Sequence, residues 1–262
     1  MDNQIILLKN RSIPKDNYEE KFVSNNFHTQ FIPLLEHTHY DREATKRYLI
    51  SKEFKSTPYF IVTSQRAVES IMDCLNDISD TEIKTNMFSK VAYTVGPATS
   101  KVLQENGFKD VRGGDDANNG AALAEVILND MDKSCPIVFF TGKVRRDIIP
   151  QALQKAGVDL TELVVYKTED RSDINENFDK ALDLVRSQSL NKQPWIVFFS
   201  PQGTKYIVEK LKEVGKSNFK IASIGPTTET FLIEKDLPPT LVSKKPEPNS
   251  LFESIAQFNE HS

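Results

Sequence analysis

The sequence has little cysteine, no long apolar run and no excess of positive charge. Only two of its 262 residues are cysteine, Cys74 and Cys135. So few cysteines exclude a disulfide scaffold and suit a reducing compartment. No apolar run approaches the roughly 20 residues that cross a bilayer, and Met1-Asp2-Asn3-Gln4 lacks the basic region of a secretory signal. We therefore expect a cytoplasmic protein with no membrane partner.

Several common motifs of ligand and metal binding are also missing. The 33 basic residues are outnumbered by 37 acidic ones, giving a net charge of −4 that argues against a nucleic-acid partner. No G-x-G-x-x-G fingerprint for dinucleotides occurs, and Thr141-Gly142-Lys143 lacks the other residues of a phosphate loop. His37-x-His39 is the only pair of closely spaced histidines, and no metal-ligand pattern of cysteines or carboxylates accompanies it, so no metal site is predicted.

Short apolar runs of strand length alternate with amphipathic stretches of helical length, which is typical of α/β proteins. The predicted strands are 5–8, 30–37, 58–62, 91–95, 136–140, 163–166, 194–199 and 221–224. The predicted helices include 16–25, 67–75, 121–128, 147–156 and 204–214. Strands separated by helices in this way form mostly parallel sheets with right-handed crossovers.

One pattern occurs twice in the chain. An apolar strand followed by a serine is found at 58–64 and again at 194–200. In each half a later strand ends in Gly-Pro followed closely by threonine, at Gly96-Pro97-Ala98-Thr99 and at Gly225-Pro226-Thr227-Thr228. The repeat distance is far too long for a solenoid, so the pattern suggests two similar domains.

Each repeated turn combines a small hydroxyl residue with the start of a helix. In open parallel sheets such turns lie at the carboxyl edge, where ligands bind, and the N–H groups of helix N-termini bind anions without a strong net charge. Prolines 97 and 226 suit the first helical position. A simpler alternative is that the hydroxyl residues only cap their helices. Both interpretations apply to Ser64, Thr99, Ser200, Thr227 and Thr228.

Several cations lie close to the predicted strand ends. Arg66 falls in the first turn of a helix, where a cation opposes the helix dipole, so a role in binding an acidic ligand is weakly favoured. The segment 141–147 opens the next predicted helix. Arg145 and Arg146 would point in different directions on a helix, so at most two of its three cations, which include Lys143, are expected to line a cleft. The alternative for each is an ordinary solvated helix surface.

Two strand-like segments about 130 residues apart turn polar at their ends. They suggest that residues 37–169 form an α/β domain inserted into a discontinuous one made of 1–36 and 170–262. The connecting strands, near 30–37 and 163–170, would run in opposite directions and pair as a linker. Tyr166 lies in the second of them; a tyrosine there ordinarily packs its ring and leaves its hydroxyl in water.

Six short segments follow one another in an order and spacing that resemble a known family over nearly the whole chain. The segments are Val62-Thr-Ser-Gln-Arg-Ala-Val68, Val95-Gly-Pro-Ala-Thr99, Arg145-Arg-Asp-Ile-Ile-Pro-Gln-Ala-Leu153, Val164-Val-Tyr-Lys-Thr168, Phe198-Phe-Ser-Pro-Gln-Gly203 and Ala222-Ser-Ile-Gly-Pro-Thr-Thr228. Together they resemble the uroporphyrinogen-III synthase family, in particular its fungal-type members.

The resemblance implies two flavodoxin-like, doubly wound parallel-sheet domains, joined by a two-stranded β linker, with the active site in the cleft between them. It also implies an activity in haem synthesis. Linear hydroxymethylbilane, a tetrapyrrole with eight carboxylates, is cyclised with loss of water and inversion of ring D through a spiro intermediate. The resemblance implies no metal and no organic cofactor, and a monomer.

The same resemblance assigns roles to individual residues. Tyr166 corresponds to the proton donor for the departing hydroxyl. The expected substrate contacts combine the hydroxyl residues of the repeated turns with three nearby cations: Ser64, Arg66, Thr99, Lys143, Arg146, Ser200, Thr227 and Thr228. The backbone N–H groups of these turns are expected to matter more than the hydroxyls.

Two other functions share these features. A non-catalytic module of two α/β domains that binds a small acidic ligand would have the same turns without needing an acid at Tyr166. An enzyme acting on a phosphorylated metabolite would use the same helix N-termini, but it would lack a phosphate motif and a general base.

Overall fold

The computed structural model describes residues 3–188 and 193–261, which form two β-sheets flanked by helices. Positions up to Glu36 and from Glu169 onward make up unit 1, and His37–Thr168 makes up unit 2. The mixed α/β class with two parallel-dominated sheets is the fold class that the sequence predicts.

Unit 1 contains five strands and five α-helices among its described residues. They are β1 (Asn3–Leu8), α1 (Asn17–Val23), β2 (Phe27–Phe31), α9 (Ile174–Gln188), β9 (Trp195–Phe198), α10 (Lys205–Val214), β10 (Lys220–Ser223), α11 (Pro226–Glu234), β11 (Leu241–Val242) and α12 (Pro248–His261), with a short 3₁₀ turn at Lys216–Asn218.

The strands of unit 1 are all parallel and lie in the order β11-β10-β9-β1-β2. Counted along the chain, this is the 2-1-3-4-5 order of flavodoxin-like sheets. Side chains that alternate along a strand enter different cores. Ile6 packs in a core with Phe178 of α9, whereas Ile5 packs in another with Phe22 of α1 and Leu251 of α12. Both faces of this sheet are therefore buried.

Unit 2 contains most of the shorter helices. Its elements are α2 (Arg42–Leu49), α3 (Lys52–Ser56), β4 (Tyr59–Val62), α4 (Gln65–Asp77), α5 (Thr81–Phe88), β5 (Val91–Val95), α6 (Gly96–Glu105), β6 (Val111–Gly114), α7 (Gly120–Asp130), β7 (Ile137–Gly142) and α8 (Ile148–Lys155). Two further strands, β3 (Leu35–His39) and β8 (Leu160–Asp170), extend across the boundary between the units.

The six-stranded sheet has the order β3-β8-β7-β4-β5-β6, and the strands from β8 to β6 are parallel. Numbered along the chain from β4, the five parallel strands lie in the order 3-2-1-4-5. If the numbering starts at β7 and β8 and continues with β4, β5 and β6, the order is 2-1-3-4-5, as in unit 1. Phe60 and Phe140 face one core, and Ile61 and Phe139 face the other. The connections leave β4 and β7 in opposite directions, so these two strands form the switch point of the sheet.

Local sequence explains where many of the helices begin. Asp, Ser or Asn precedes several of them and accepts hydrogen bonds from the first backbone N–H groups, as N-cap residues do. The capping residues with such bonds are Asp16, Asp41, Ser51, Ser64, Asp80 and Asn119.

The prediction of one strand over 30–37 is wrong. β2 ends at Phe31 and β3 begins at Leu35, and the two strands belong to different sheets. Pro33 lies between them; it has no N–H for a ladder, and it restricts the conformation of Ile32. Ile32 and Leu34 are nevertheless buried in a core of unit 1, which is why the apolar pattern continues through the break.

The segment 141–147 also differs from its prediction as the opening of a helix. Thr141 and Gly142 end β7, and α8 begins only at Ile148. The backbone N–H of Lys143 donates to the backbone carbonyl oxygen of Tyr166 at 2.9 Å, which keeps the chain beside β8 before it turns into the helix. Arg145 and Arg146 therefore lie in a loop, where helical spacing does not restrict their directions.

The buried Lys90 holds α3 and the start of β5 together. Its side chain is 3% exposed and donates to the carbonyl oxygens of Phe54 at 2.7 Å and Thr57 at 2.5 Å. Burial lowers the pKa of Lys90 to about 8. We expect Lys90→Met to lower the free energy of unfolding at pH 7 by about 1–2 kcal/mol, because two buried carbonyls lose their donor.

The pH dependence of this loss follows from the pKa. Between pH 8 and about 10.4 the unfolded chain holds a proton on Lys90 that the folded chain has released, so stability from this group rises with pH. The difference in the free energy of unfolding between wild type and Lys90→Met, measured with urea, should therefore widen over that range. The control Lys133→Met, at an exposed position, should have the same free energy of unfolding as wild type. A constant or shrinking gap would contradict this assignment.

Candidate active site

A pocket in unit 2 opens at the carboxyl ends of the central strands. Its volume is about 580 Å³. The lining includes Ser64 just after β4, Val95 at the end of β5 and Thr141 near the end of β7. Because β4 and β7 form the switch point, this is where a doubly wound sheet leaves a crevice for a ligand.

Four helices begin at this pocket. Ser64, Val95 and Asn119, the N-cap residues of α4, α6 and α7, line it together with Ile148 and Ile149 at the start of α8. The first N–H groups of a helix have no acceptor within the helix, and the dipole adds partial positive charge. The pocket is therefore suited to anionic groups such as carboxylates.

Tyr166 reaches the pocket because the pairing of β8 with β7 is irregular. Val164 lies opposite Thr141 and Tyr166 lies opposite Gly142, so Val165 has no partner residue in β7. Such a bulge redirects a side chain. Val165 and Tyr166 are adjacent in sequence, yet both pack against the same core. The bulge thus places Tyr166 against that core and in the pocket lining at once.

The ring of Tyr166 lies directly over Gly142. A Cβ atom at position 142 would stand 2.7 Å from Cζ and 2.9 Å from the phenol oxygen of Tyr166, closer than Cβ contacts in proteins allow. Glycine at 142 is therefore required for this position of the phenol. Within the part of the chain that the structure describes, nothing is hydrogen-bonded to the Tyr166 hydroxyl, so it is available to a ligand.

His37 lies beside Tyr166, although sequence reasoning considered it only as a metal ligand. The two ring centroids are 6.2 Å apart at an interplanar angle of 72°, and His37 Nδ1 lies 2.9 Å from Thr168 Oγ1. Burial and, next, the charge of Arg66 lower the pKa of His37 below its usual value. The imidazole is therefore neutral near pH 7 and adds no charge beside the phenol.

Arg145 and Arg146 both line the pocket, but they differ in their ion pairs. Arg145 contacts Asp147 and lies 2.5 Å from Glu162. Over residues 3–188 and 193–261, Arg146 has no carboxylate partner. Of the two guanidinium groups, only that of Arg146 is left to pair with an acidic ligand.

Lys143 and Arg66, two further expected substrate contacts, lie beside the pocket lining without being part of it. Lys143 is exposed, with Nζ 5.8 Å from the centre of the Tyr40 ring. Arg66 donates to Glu69 at 2.8 Å and lines a separate pocket of about 330 Å³ with His37. Its pairing with Glu69 offsets the unfavourable placement of a cation at a helix N-terminus.

The hydroxyl residues of unit 2 differ from each other in role. Ser64 caps α4, accepting from the N–H of Ala67 at 3.2 Å, so the simpler cap interpretation is correct for it. Its own O–H remains a donor in the pocket lining. Thr99 is not a cap, because α6 is capped by Val95 and Thr99 lies inside the helix with 6% exposure.

The predicted contacts of unit 1 lie at the carboxyl end of its sheet. Ser200 follows β9 but does not cap α10, whose N-cap is Thr204. Pro226 occupies the first position of α11, as predicted from the sequence, and Gly225 is the N-cap. Thr227 is exposed and Thr228 is buried, both within the first turn of α11. The cap interpretation is wrong for these three hydroxyl residues.

Sequence reasoning missed several residues of the pocket lining, among them Asn118, Asn119 and Val144. Asn119 accepts from the N–H groups of Ala121 and Ala122, both at 3.0 Å. Asparagine directly before the helical pattern 121–128 is a recognised start signal and would have placed this cap. Nothing in the local sequence distinguishes Val144 from other loop residues.

The described ranges, 3–188 and 193–261, lack both a metal-binding cluster and a membrane-spanning helix. Neither range contains three or more His, Cys, Asp or Glu side chains grouped to hold a metal ion. A helix with the length and apolar character of a membrane span is likewise not found in them. Cys74 and Cys135 are both free thiols.

Comparison with known proteins identifies the family. The family model described as uroporphyrinogen-III synthase HemD matches residues 16–253. The uroporphyrinogen-III synthase of Saccharomyces cerevisiae is 38% identical over 98% of this chain and 97% of its own, and that of Schizosaccharomyces pombe is 33% identical over 97% of each. The crystal structure of uroporphyrinogen-III synthetase from Helicobacter pylori shares the fold, with a TM-score of 0.55, 20% identity and coverage of 99% of this chain and 100% of that one. The chain therefore belongs to the uroporphyrinogen-III synthase family.

Proposed function

We propose that this protein cyclises linear hydroxymethylbilane to uroporphyrinogen III, with loss of water and inversion of ring D. Its membership of the family supports the activity. The structural observation that supports it best is the phenol of Tyr166, which lies over Gly142 in an anion-binding pocket and has no internal partner among the described residues.

The chemistry requires a modest acid. The hydroxymethyl group leaves as water when Tyr166 protonates it and the attached pyrrole pushes electrons toward the breaking C–O bond. The substituted carbon of ring D then attacks the resulting electrophile and forms a spiro intermediate. That intermediate fragments and closes again with ring D inverted. A proton lost as the pyrroles regain aromaticity balances the one that Tyr166 donated.

The main task of the protein in this reaction is positioning. The linear substrate also cyclises without an enzyme, but it then gives the uninverted isomer I, so the protein must favour one closure over another. The substrate carries eight carboxylates, whereas this chain has a net charge of −4. We therefore expect backbone N–H groups to bind most of the carboxylates and cations to bind few of them. We assign carboxylate binding in unit 2 to the helix N-termini of its pocket and to Arg146.

The other expected contacts remain part of this proposal. Lys143 and Arg66 lie next to the pocket, and each is exposed enough to meet a carboxylate of a large substrate. In unit 1 we assign substrate contacts to Ser200, Thr227 and Thr228, at the carboxyl end of its sheet. Thr99 and Thr228 are almost fully buried, so their backbone groups, more than their hydroxyls, would serve.

The domain organisation, oligomeric state and compartment are proposed on the same basis. We take residues 1–36 with 170–262 and residues 37–169 as the two domains, and β3 (Leu35–His39) with β8 (Leu160–Asp170) as the strands of their linker. Each unit buries its own cores on both faces of its sheet, which supports a monomer. The two free thiols support a reducing compartment such as the cytoplasm.

Product analysis tests the activity directly. The purified chain is supplied with freshly generated hydroxymethylbilane, the products are oxidised, and porphyrin isomers I and III are separated by chromatography. We expect predominantly isomer III, without added metal or cofactor. Isomer I alone, formed at the spontaneous rate, would contradict the proposal and leave a non-catalytic binding module, which family membership does not favour, as the alternative.

A further inference from the structure

The rim of the unit 2 pocket carries two apolar side chains that face solvent. Val144, in the loop between β7 and α8, is 90% exposed, and Ile148, at the start of α8, is 43% exposed. Both belong to the lining, together with the apolar Val95 and Phe139. Single exposed apolar residues are common on protein surfaces. Two of them at the mouth of a partly apolar pocket suggest a ligand with an apolar surface.

Both neighbours of Val144 make contacts with other parts of unit 2. The backbone N–H of Lys143 donates to the backbone carbonyl oxygen of Tyr166 at 2.9 Å. On the other side, Arg145 is ion-paired with Asp147 and Glu162. The exposure of Val144 is therefore built into the loop, since the residues before and after it are both attached to the rest of unit 2.

Ile148 is also supported from behind. Gly120, the first residue of α7, lies against it: a Cβ at position 120 would stand 3.8 Å from the Ile148 Cβ. The next residue, Ile149, is only 5% exposed and packs in a core of unit 2. Ile148 thus extends from a packed helix start toward the pocket, close to the unpaired Arg146.

We propose that Val144 and Ile148 bind the face of one carboxylate-bearing pyrrole ring, while Arg146 pairs with a carboxylate of that ring. This assignment rests on the proposed function and states which chemical group of the substrate, a pyrrole ring with its carboxylate, the rim of the unit 2 pocket binds. A pyrrole ring has two apolar faces and carries its acidic groups at the edge. The rim of the pocket offers the matching arrangement, apolar side chains with one free cation beside them.

The test measures binding without turnover. The probe is a linear tetrapyrrole octacarboxylate with a methyl group in place of the hydroxymethyl, which has no leaving group and cannot cyclise. Val144→Thr keeps the shape of the side chain and replaces a methyl by a hydroxyl, and Val144→Leu keeps it apolar. Ile148→Thr tests the second position. Ile50→Thr is the control, because Ile50 is similarly exposed, at 49%, but lies outside the pocket lining.

We expect Val144→Thr and Ile148→Thr each to raise Kd about 5- to 20-fold, within the range for apolar contacts in binding pockets. Val144→Leu and Ile50→Thr should bind within 2-fold of wild type. Raising the ionic strength should shrink the effect of Arg146→Gln, which removes a charge, but not that of Val144→Thr. For the reactive substrate, Val144→Thr should raise KM and leave kcat unchanged.

Two results would overturn the assignment, and they are distinguishable. If wild type forms isomer III but the threonine variants bind the probe within 2-fold of wild type, the proposed activity stands and the ring-binding role fails. If wild type neither binds the probe nor forms isomer III, the proposed function itself fails and the ring-binding role with it.

Discussion

Tyr166→Phe should lower kcat about 10- to 100-fold, at or below the usual range for general acid catalysis, and should leave KM nearly unchanged. We propose that the phenol protonates the departing hydroxyl, and removing its one oxygen leaves the ring packed over Gly142 in the pocket lining. The loss should be moderate because the pyrrole itself drives out the leaving group. Steady-state rates of isomer III formation from fresh hydroxymethylbilane measure the effect.

Tyr40→Phe provides the matched control for this variant. It makes the same chemical change on a tyrosine of unit 2 that is 48% exposed and outside the pocket lining. Its rate should equal that of wild type, and both variants should unfold at the wild-type temperature. If Tyr166→Phe also kept the wild-type rate, Tyr166 would have no part in the mechanism.

Gly142→Ala should lower kcat about as much as Tyr166→Phe does, by up to roughly 100-fold, although it adds only a methyl group. That methyl would stand 2.7 Å from Tyr166 Cζ, so the ring must move away. A displacement of about 1 Å in a catalytic group can cost 10²-fold in rate. Because the alanine acts through the phenol, the double variant Gly142→Ala/Tyr166→Phe should be within about 3-fold of Gly142→Ala alone.

Gly157→Ala separates this effect from a general loss of stability. Gly157 has a φ of +75°, which side-chain-bearing residues rarely adopt, and no atom lies within 4 Å of where a Cβ would stand. Alanine at this position therefore strains the backbone without contacting the site. It should lower stability by about 1 kcal/mol or slightly more and leave the rate unchanged. If the double variant Gly142→Ala/Tyr166→Phe lost the product of the two single-variant losses in kcat, Gly142 would act independently of Tyr166.

Features that depend on local pattern were predictable from the sequence. The buried strands β4, β5, β7, β9 and β10 are found where continuous apolar runs predict them, because a strand covered on both faces needs apolar residues throughout. Pro226 at the first position of α11 and the cap at Ser64 follow from equally local rules.

Features that depend on pairing between distant segments were not predictable in this way. The bulge that turns Tyr166 into the pocket is set by the register of β8 against β7, and single-strand periodicity contains no trace of it. The ion pair of Arg145 with Glu162 joins two segments that are separated by a helix, so local sequence does not reveal it. The break in the predicted strand at 32–34 is not visible in the sequence, because Ile32 and Leu34 are apolar like strand residues. They are buried in a core of unit 1, although they form no strand ladder.

The strand orders of the two sheets also describe how the chain is assembled. Among the described residues, the ten strands other than β3 form two consecutive sets of five in sequence, β1, β2, β4, β5, β6 and then β7 to β11. Each sheet takes two strands from the start of one set and three from the end of the other. This is the connectivity of a tandem duplication whose copies have exchanged segments, a domain swap within one polypeptide. Ser64 and Ser200 then follow the third strand of their copies, and Lys9 and Lys143 follow the first.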